Sequence, residues 1–413
     1  MTSQFAVRQF AVRLLAAASL IAATAAAQKL QVYVLAGQSN MQGHAKVETL
    51  DYLADDPATA PLLAKIVDDD GKPRVLEHVW VSYLTNAQDG DGEGTGRLTA
   101  GFGARRDAAE PGDKIGPELT FGITVAAATK APVLLVKCAW GGKSLHTDFR
   151  PPSAGPYVFS AKQREQLAAK GELERAEADK LAATGVYYQK TIEHVQRVLA
   201  DPKRVCPEYD SEQGFELAGF VWFQGWNDMV DGGTYPDRGK PGGYDAYSEV
   251  LAHFIRDVRR DLGADELPFV IGVMGVGGAL REGDRYAPVH GSFRAAMAAP
   301  AELPEFRGNV VAVGTAPFWD TKLQAIADDL DKVRAMERRL RTKDANGPNA
   351  DGAMDAEAQK AWLRRYRDET VGAENERIWQ RGASNAAYHY LGSAKILARI
   401  GVAFGEAVLR LRR

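Results

Sequence analysis

One stretch decides how this chain folds: Val34-Leu35-Ala36-Gly37-Gln38-Ser39-Asn40-Met41. The apolar run from Leu30 to Ala36 predicts a buried strand, which ends at the glycine. If a helix begins directly after this glycine, Ser39 lies at its N-terminus, where free N–H groups and the helix dipole favour a developing negative charge. Ser39 is therefore a candidate nucleophile, with a plain helix N-cap as the alternative interpretation.

Two further turns follow predicted strands and carry groups suited to ester chemistry. The run from Ala131 to Cys138 predicts a second strand, and the Gly141-Gly142 pair after it exposes N–H groups, although it also suits a plain tight turn. The run from Leu217 to Phe223 predicts a third strand, which leads into Gln224-Gly225-Trp226-Asn227-Asp228. An asparagine amide can donate a hydrogen bond to an oxyanion, and the same residues also suit a turn.

The remaining apolar runs predict a layered α/β fold. Pro268 to Met274 and Asn309 to Gly314 predict a fourth and a fifth strand, and amphipathic helices alternate with the strands. This alternation indicates a parallel sheet covered on both faces. Because ligands bind outside the carboxyl ends of strands in such sheets, the three strand-end motifs are expected to meet in one crevice.

The last part of the chain holds a candidate general base. The composition changes in residues 321–380, where two charged helical patterns are joined by a linker of Gly, Asn, Pro and Asp. This arrangement predicts a helical hairpin that is inserted in the core of the domain. The segment Tyr388-His389-Tyr390-Leu391-Gly392 follows, just before a final amphipathic helix. His389 is the candidate base, although a single histidine also serves as a surface or capping residue.

Taken in order, these motifs resemble those of the SGNH hydrolases. Gly37-Gln38-Ser39-Asn40-Met41 is similar to the first block of the branch that contains sialate O-acetylesterases and acetylxylan esterases, and Gln224 to Asp228 is similar to the third block. The resemblance implies a flavodoxin-like, three-layer α/β/α sandwich with a central, mostly parallel five-stranded sheet and helical insertions. It also implies a serine carbohydrate esterase that removes O-acetyl groups from sialate- or xylan-type glycans through an acyl-enzyme, without a metal or an organic cofactor.

The resemblance also implies a role for each matching position. Ser39 corresponds to the acyl nucleophile, whose backbone N–H joins the oxyanion hole, and His389 corresponds to the general base. For the oxyanion hole, the resemblance also implies the N–H of Gly142 or Gly141 and the amide of Asn227. For substrate binding, it implies Gln38 and Gln224.

The position of the triad acid departs from the family pattern. Many SGNH hydrolases carry an aspartate three residues before the histidine, where it orients the imidazole ring. Here that position is Ala386, preceded by Asn385. We predict that Asp228 orients His389 instead, with Asp320 or a backbone carbonyl as the alternatives.

Two other functions are open at this level. The missing Asp-x-x-His motif favours a non-catalytic carbohydrate-binding protein on a decayed SGNH fold. A GDSL-type lipase or thioesterase is the other alternative, and it should have a wider, more apolar crevice. Aromatic side chains next to the motifs either stack on sugar faces or pack in the core, and these are Trp140, Trp226, Tyr388 and Tyr390.

The first 27 residues predict a Sec-type signal peptide. Arg8 and Arg13 precede an apolar run from Leu14 to Ala23, and small residues precede Gln28. The apolar run is too short to span a bilayer, so cleavage before Gln28 and export to the periplasm or the medium are expected. Residues 28–413 would then form the hydrolase domain.

The net charge of the chain limits the classes of partner that it can bind. Removal of the two arginines in the first 27 residues takes the formal net charge from −3 to −5, which argues against a nucleic acid or a membrane surface as partner. An O-acetylated glycan is compatible with this charge, and no obligate protein partner is evident.

Asp89 to Gly94 resembles the start of a calcium loop, but Ala100 replaces the bidentate glutamate, so a surface loop is predicted. Cys138 and Cys206 form either a disulfide or two buried thiols.

Overall fold

The computed structural model describes residues 28–84, 92–105, 107–108 and 112–413. The predicted signal peptide lies outside the described residues, as do residues 89–91 of the predicted surface loop. The strands of the described part are β1 (Leu30–Gly37), β2 (Ala45–Lys46), β3 (Val79–Leu84), β4 (Glu93–Arg97), β5 (Lys114–Ile115), β6 (Val133–Ala139), β7 (Phe215–Phe223), β8 (Phe269–Val273) and β9 (Val310–Gly314).

The α-helices of the described part are α1 (Ser39–Gln42), α2 (Ala60–Ile66), α3 (Glu118–Ala127), α4 (Ala161–Ala169), α5 (Leu173–Ala183), α6 (Val186–Ala200), α7 (Trp226–Val230), α8 (Asp245–Asp261), α9 (Ala287–Ala298), α10 (Thr321–Thr342), α11 (Ala356–Thr370), α12 (Gly372–Gly382) and α13 (Ala394–Leu411). Short 3-10 helices connect some of them, among them Val47–Asp55 and Ala387–Gly392.

Seven of the strands form one sheet in the order β4-β3-β6-β1-β7-β8-β9, in which only the β3–β4 pair is antiparallel. The five predicted strands are confirmed as β1, β6, β7, β8 and β9. The predicted count of five is wrong, because the sheet also contains β3 and β4. Strand β3, Val79-Trp80-Val81-Ser82-Tyr83-Leu84, is an apolar run that suits a buried strand and was missed. Strand β4 includes the end of the predicted surface loop and has two glycines and no apolar residue. It is held by pairing with β3 and by a hydrogen bond from Ser82 Oγ to Glu93 Oε1 (2.6 Å).

Strand β1 positions the site. All eight of its residues are buried, and it lies between β6 and β7. Gly37 at its end aligns with Ala139 on β6 and with Phe223 on β7, so the turns after these three strands meet at one edge of the sheet. A Cβ at position 37 would lie 2.2 Å from the Phe223 carbonyl oxygen, so only glycine permits this close approach.

Helices cover both faces of the sheet. Phe223 packs on Phe404 of α13 with ring centroids 5.2 Å apart, whereas Trp222 packs on Phe254 of α8 at 4.3 Å. Because neighbouring side chains of a strand point to opposite faces, α13 and α8 lie on opposite sides of β7. Helix α3 packs against α13 in the same layer, where Phe121 contacts Tyr33 of β1. The predicted three-layer α/β/α sandwich is confirmed.

The segment from residue 321 to 382 forms three helices where the sequence predicts a hairpin of two. Helix α11 ends at Thr370, and α12 begins at Gly372, which has φ of 76°. Both helices pack against α10. Arg381 at the end of α12 pairs with Asp51 and Asp55 of the 3-10 helix Val47–Asp55. That this segment is an insertion in a hydrolase core stays a prediction.

The two cysteines, Cys138 and Cys206, are buried and are not joined by a disulfide.

Candidate active site

Ser39 is the first residue of α1, directly beyond the end of β1. Gln38 occupies the N-cap position of this short helix and makes no side-chain cap hydrogen bond. Ser39 is therefore not the cap, which was the alternative interpretation. Its residue surface is 6% exposed, so the hydroxyl lies in a largely enclosed setting.

A pocket of about 440 Å³ brings the strand-end motifs together. It opens at the edge of the sheet where β1, β6 and β7 end. Six of the predicted site residues line it, namely Gln38, Ser39, Gly141, Gly142, Asn227 and His389. Gly141 lies against the serine, because a Cβ added to it would be 3.9 Å from Ser39 Cβ. The predicted single crevice is therefore present, whereas Asp228 and Gln224 do not line it.

A buried ion pair supports α1 from beneath. Lys137 Nζ on β6 donates to Glu118 Oε2 (2.8 Å) and to the carbonyl oxygens of Gln42 (2.8 Å) and Phe102 (2.7 Å). Both charged side chains are fully buried, and desolvation lowers the pKa of Lys137. The pair is fully hydrogen-bonded, as a buried charge requires, and it ties the last residue of α1 to α3 and β6.

Gln38 orients the Asn227 amide. Gln38 Oε1 accepts from the backbone N–H groups of Gly225 (2.9 Å) and Asn227 (3.3 Å), and Gln38 Nε2 donates to Asn227 Oδ1 (3.0 Å). Since Oδ1 accepts this bond, Asn227 Nδ2 is the part of the amide that can donate into the pocket. Gln38 lines the pocket, but it is 1% exposed and its amide is engaged within the protein, where it orients Asn227. Its contact with substrate stays a prediction.

Gln224 lies behind the pocket wall. Its Nε2 donates to the Lys143 carbonyl oxygen (3.0 Å) and to Asp228 Oδ2 (2.6 Å), and its Oε1 accepts from Tyr247 Oη (3.2 Å). The side chain is 2% exposed. Direct substrate binding by Gln224 was therefore the wrong expectation, because every polar atom of its amide is used to join the walls of the site.

Asp228 does not contact His389, which corrects the predicted triad. The carboxylate is fully buried, and its oxygens accept hydrogen bonds of 2.6–3.2 Å from Leu145 N, His146 N, Gln224 Nε2 and Tyr235 Oη. The first two donors belong to the loop after Gly142, so Asp228 pins that loop to α7. Asp320, the alternative, is the N-cap of α10 and pairs with Lys395.

The imidazole of His389 is held by neutral neighbours. Its Nδ1 lies 2.9 Å from Asn385 Oδ1, its ring stacks on that of His44 with centroids 4.1 Å apart, and Tyr388 meets it edge-on at 4.4 Å. Burial, and then the charge of Lys114, lower the pKa of His389 to about 4. Burial also lowers the pKa of His44 to about 3. Both rings are therefore neutral at neutral pH, which is the form that a general base requires.

Other pocket residues carry no motif in the sequence. Arg105 and Lys114 line the pocket and lie between β4 and α3, with Lys114 on β5. His44 also lines it, and the only signal for it is its place five residues after Ser39. Among the residues described, no group of three or more histidine, cysteine, aspartate or glutamate side chains is arranged to hold a metal ion.

The four aromatic residues singled out in the sequence divide into two pairs. Trp140 and Tyr390 are fully buried in the core. Trp226 and Tyr388 line the pocket with ring centroids 5.7 Å apart, and Tyr388 is 43% exposed. Only the second pair is placed to contact a sugar.

Comparison with known proteins gives one family and several similar structures. A family model described as carbohydrate esterase, sialic acid-specific acetylesterase, matches residues 29–298. This range includes Ser39 and Asn227 but ends before His389, whose role rests on its place in the pocket. No curated protein matches the chain.

Three solved structures are similar to parts of the chain. A protein from Arabidopsis thaliana is 16% identical, with 70% of this chain and 86% of that chain covered and a TM-score of 0.34. A carbohydrate acetylesterase from Xanthomonas citri is 16% identical, with 69% and 49% covered and a TM-score of 0.36. The protein NanS is 15% identical, with 70% and 78% covered and a TM-score of 0.38.

The family model spans more than half of the chain, and the matched range holds the serine, the glycine pair and the asparagine of the pocket. The chain therefore belongs to the carbohydrate esterase family described as sialic acid-specific acetylesterases, and it is a carboxylic ester hydrolase.

Proposed function

We propose that this esterase removes O-acetyl groups from sugars that carry a carboxylate, of the sialate type, through an acetyl-enzyme on Ser39. The observation that carries the proposal is the lining of the pocket, which holds Ser39 and His389 together with two cations, Arg105 and Lys114. Guanidinium and ammonium groups recognise a carboxylate through charge-assisted hydrogen bonds. A neutral acetylated xylan offers these cations no such partner.

The reaction follows from the groups in the pocket. His389 takes the hydroxyl proton of Ser39 as the serine oxygen attacks the acetyl carbonyl. The oxyanion accepts hydrogen bonds from the Ser39 N–H, from the N–H of Gly142 or Gly141, and from Asn227 Nδ2. The C–O bond to the sugar then breaks, the sugar oxygen takes the proton from His389, and a water activated by His389 releases acetate.

The aromatic pair supports a sugar as the alcohol part of the ester. Trp226 and Tyr388 present ring surface beside the serine, and such surface packs on the apolar face of a sugar ring. A lipase or thioesterase would instead need an apolar channel for a long acyl chain, and Arg105 and Lys114 are poorly suited to line one.

The substrate preference is tested by removing the cations. Arg105→Gln and Lys114→Gln should each lower kcat/KM for an O-acetylated sialic acid by about 10- to 100-fold, since a hydrogen bond to a charged group contributes about 1.5–3 kcal/mol. The same variants should change kcat/KM for p-nitrophenyl acetate, which has no carboxylate, by less than about threefold. Lys65→Gln, at an exposed position outside the pocket, is the matched control.

Two outcomes would argue against the acidic substrate. Equal losses on both esters would mean that the cations act on the serine chemistry or on the fold. Unchanged activity on the sialate ester, with release of acetate from acetylated xylan, would favour the neutral glycan instead.

We also propose that the protein is exported and that residues 28–413 form one hydrolase domain into which residues 321–380 are inserted. The basic, apolar and small-residue order of the first 27 residues supports the export. Within the described ranges, none of the helices is long and apolar enough to cross a membrane. N-terminal sequencing of protein from the extracytoplasmic fraction should give Gln28 as the first residue, and a cytoplasmic chain that begins at Met1 would contradict the proposal.

A further inference from the structure

The contact between Asn385 and His389 has a defined direction. Asn385 Oδ1 lies 2.9 Å from His389 Nδ1 and also accepts the backbone N–H of Ala386 at 2.8 Å. A backbone N–H can only donate, so the atom between these two nitrogens is the amide oxygen. The oxygen has no proton to give, so His389 Nδ1 must carry one. The lone pair of the imidazole is then on Nε2, the nitrogen that a general base uses toward the serine.

The backbone around His389 is folded to make this contact. Tyr390 and Leu391 have φ of 54° and 60°, a conformation that non-glycine residues seldom adopt. This reversal lets the Leu391 carbonyl oxygen accept the Asn385 N–H at 3.0 Å. Tyr390 is fully buried, and its hydroxyl accepts the N–H of Gly275 at 2.8 Å, which anchors the turn to the end of β8. Such strain persists where the surrounding structure enforces it, often at functional sites.

We propose that Asn385 takes the place of the triad carboxylate, so that the esterase works with a Ser39–His389–Asn385 arrangement whose orienting group is neutral. The inference rests on the proposed function of Ser39 and His389 and concerns how the base is held. Asn385 is a positioning residue, because it acts through the imidazole and does not touch the reacting atoms.

The other groups around the ring are also not anionic. Within the described part of the chain, the titratable or charged residues that line the pocket with His389 are His44 between α1 and β2, Arg105, Lys114 on β5, and Tyr388. Two lysines of the adjoining elements are paired with carboxylates, Lys46 of β2 with Glu48, and Lys395 of α13 with Asp56 and Asp320.

A neutral orienting group sets the pH range of the enzyme. A carboxylate beside an imidazole favours the imidazolium and raises the pKa, whereas an amide oxygen fixes the tautomer with a weaker pull on the charge. With burial and Lys114 lowering its pKa to about 4, His389 stays deprotonated in mildly acidic medium. Because the free enzyme needs the neutral base, kcat/KM should be lost as the pH falls through about 4, and the enzyme should keep its activity at pH values where an ordinary histidine is protonated.

Asn385→Asp is the decisive variant. It should raise the pKa of His389 by about 1–3 units, because it places an opposite charge beside the ring. The pKa is read by NMR titration of protein labelled with ¹⁵N-histidine, and His389→Gln identifies the resonance. In the pH profile of kcat/KM for p-nitrophenyl acetate, the acid limb should move to higher pH by the same number of units. Asn346→Asp, at an exposed asparagine between α10 and α11, is the matched control and should move neither reading.

Asn385→Ala supplies a second reading. It should lower kcat by about 10- to 100-fold, part of the 10²- to 10⁴-fold that a positioned base contributes, with little change in KM. The NMR pattern should change from a single Nδ1–H tautomer to a mixture. Rescue of kcat by aspartate at this position, with the shifted acid limb, would exclude a merely structural effect.

The same pKa for His389 in the wild type and in Asn385→Asp would overturn the proposal, as would wild-type His389 with its proton on Nε2. The titration does not depend on turnover. A wild-type protein that hydrolyses no ester would refute the proposed function, while the NMR result would still decide whether Asn385 holds the ring.

Discussion

Ser39→Ala should lower kcat for hydrolysis of an acetyl ester by about 10⁴- to 10⁶-fold, the loss expected when the nucleophile of a serine hydrolase is removed. The side chain is small and enclosed, so the variant should keep the free energy of unfolding of the wild type within about 1 kcal/mol. Turnover is measured as acetate release, and folding is measured by urea denaturation of the same preparation.

Ser393→Ala is the matched control for this variant. Ser393 is fully buried, its hydroxyl has no hydrogen-bond partner in the described part of the chain, and it precedes α13 outside the pocket. It should lose neither stability nor activity. Full activity of Ser39→Ala in the presence of a normal fold would remove Ser39 as the nucleophile.

Asp228→Ala should destabilise the protein by about 3–5 kcal/mol, since four buried donors lose their acceptor and each unsatisfied group costs about 1–3 kcal/mol before relaxation. Two of these donors are the N–H groups of Leu145 and His146. Release of this loop should displace Gly141 and Gly142, so kcat should fall along with stability. Urea denaturation and acetate release measure the two effects.

The acid limb of the pH profile of kcat/KM distinguishes this structural role of Asp228 from the role of a triad acid. Asp228 does not contact His389, so Asp228→Asn should lower stability and kcat while leaving the acid limb at the wild-type pH. Asp320→Ala should weaken the N-cap of α10 by about 1 kcal/mol and leave kcat unchanged. A stable Asp228→Asn protein with a large loss of kcat and a shifted acid limb would restore the triad that the sequence predicts.

Central strands and the turns after them could be predicted from the sequence. β1, β6 and β7 are buried apolar runs, and each ends in a turn with glycine, so Ser39, the glycine pair and Asn227 could be placed at one edge of the sheet. Strand β4 could not be predicted, because Glu93-Gly94-Thr95-Gly96-Arg97 has no apolar alternation and exists only through its pairing with β3.

The orientation of the polar groups could not be read from the sequence. Asp228 is the last residue of the third motif and is an acidic residue of the type that a triad requires, but two of its donors come from a loop more than 80 residues earlier in the chain. Asn385 contacts His389 beside a turn in which Tyr390 and Leu391 adopt positive φ. Non-glycine residues seldom adopt this conformation, so the sequence does not indicate the turn. Gln38 and Gln224 likewise have the right type for substrate contacts, but their amides bond to other groups of the protein, Gln38 in the lining of the pocket and Gln224 behind it.

Labelling of the serine tests directly whether Ser39 attacks the ester and His389 activates it. A fluorophosphonate forms a stable adduct with an activated serine, and mass spectrometry of the digested protein locates it. We expect one adduct, on Ser39, which forms much more slowly in His389→Gln and is absent in Ser39→Ala. An adduct on another residue, or undiminished acetate release after complete labelling of Ser39, would contradict it.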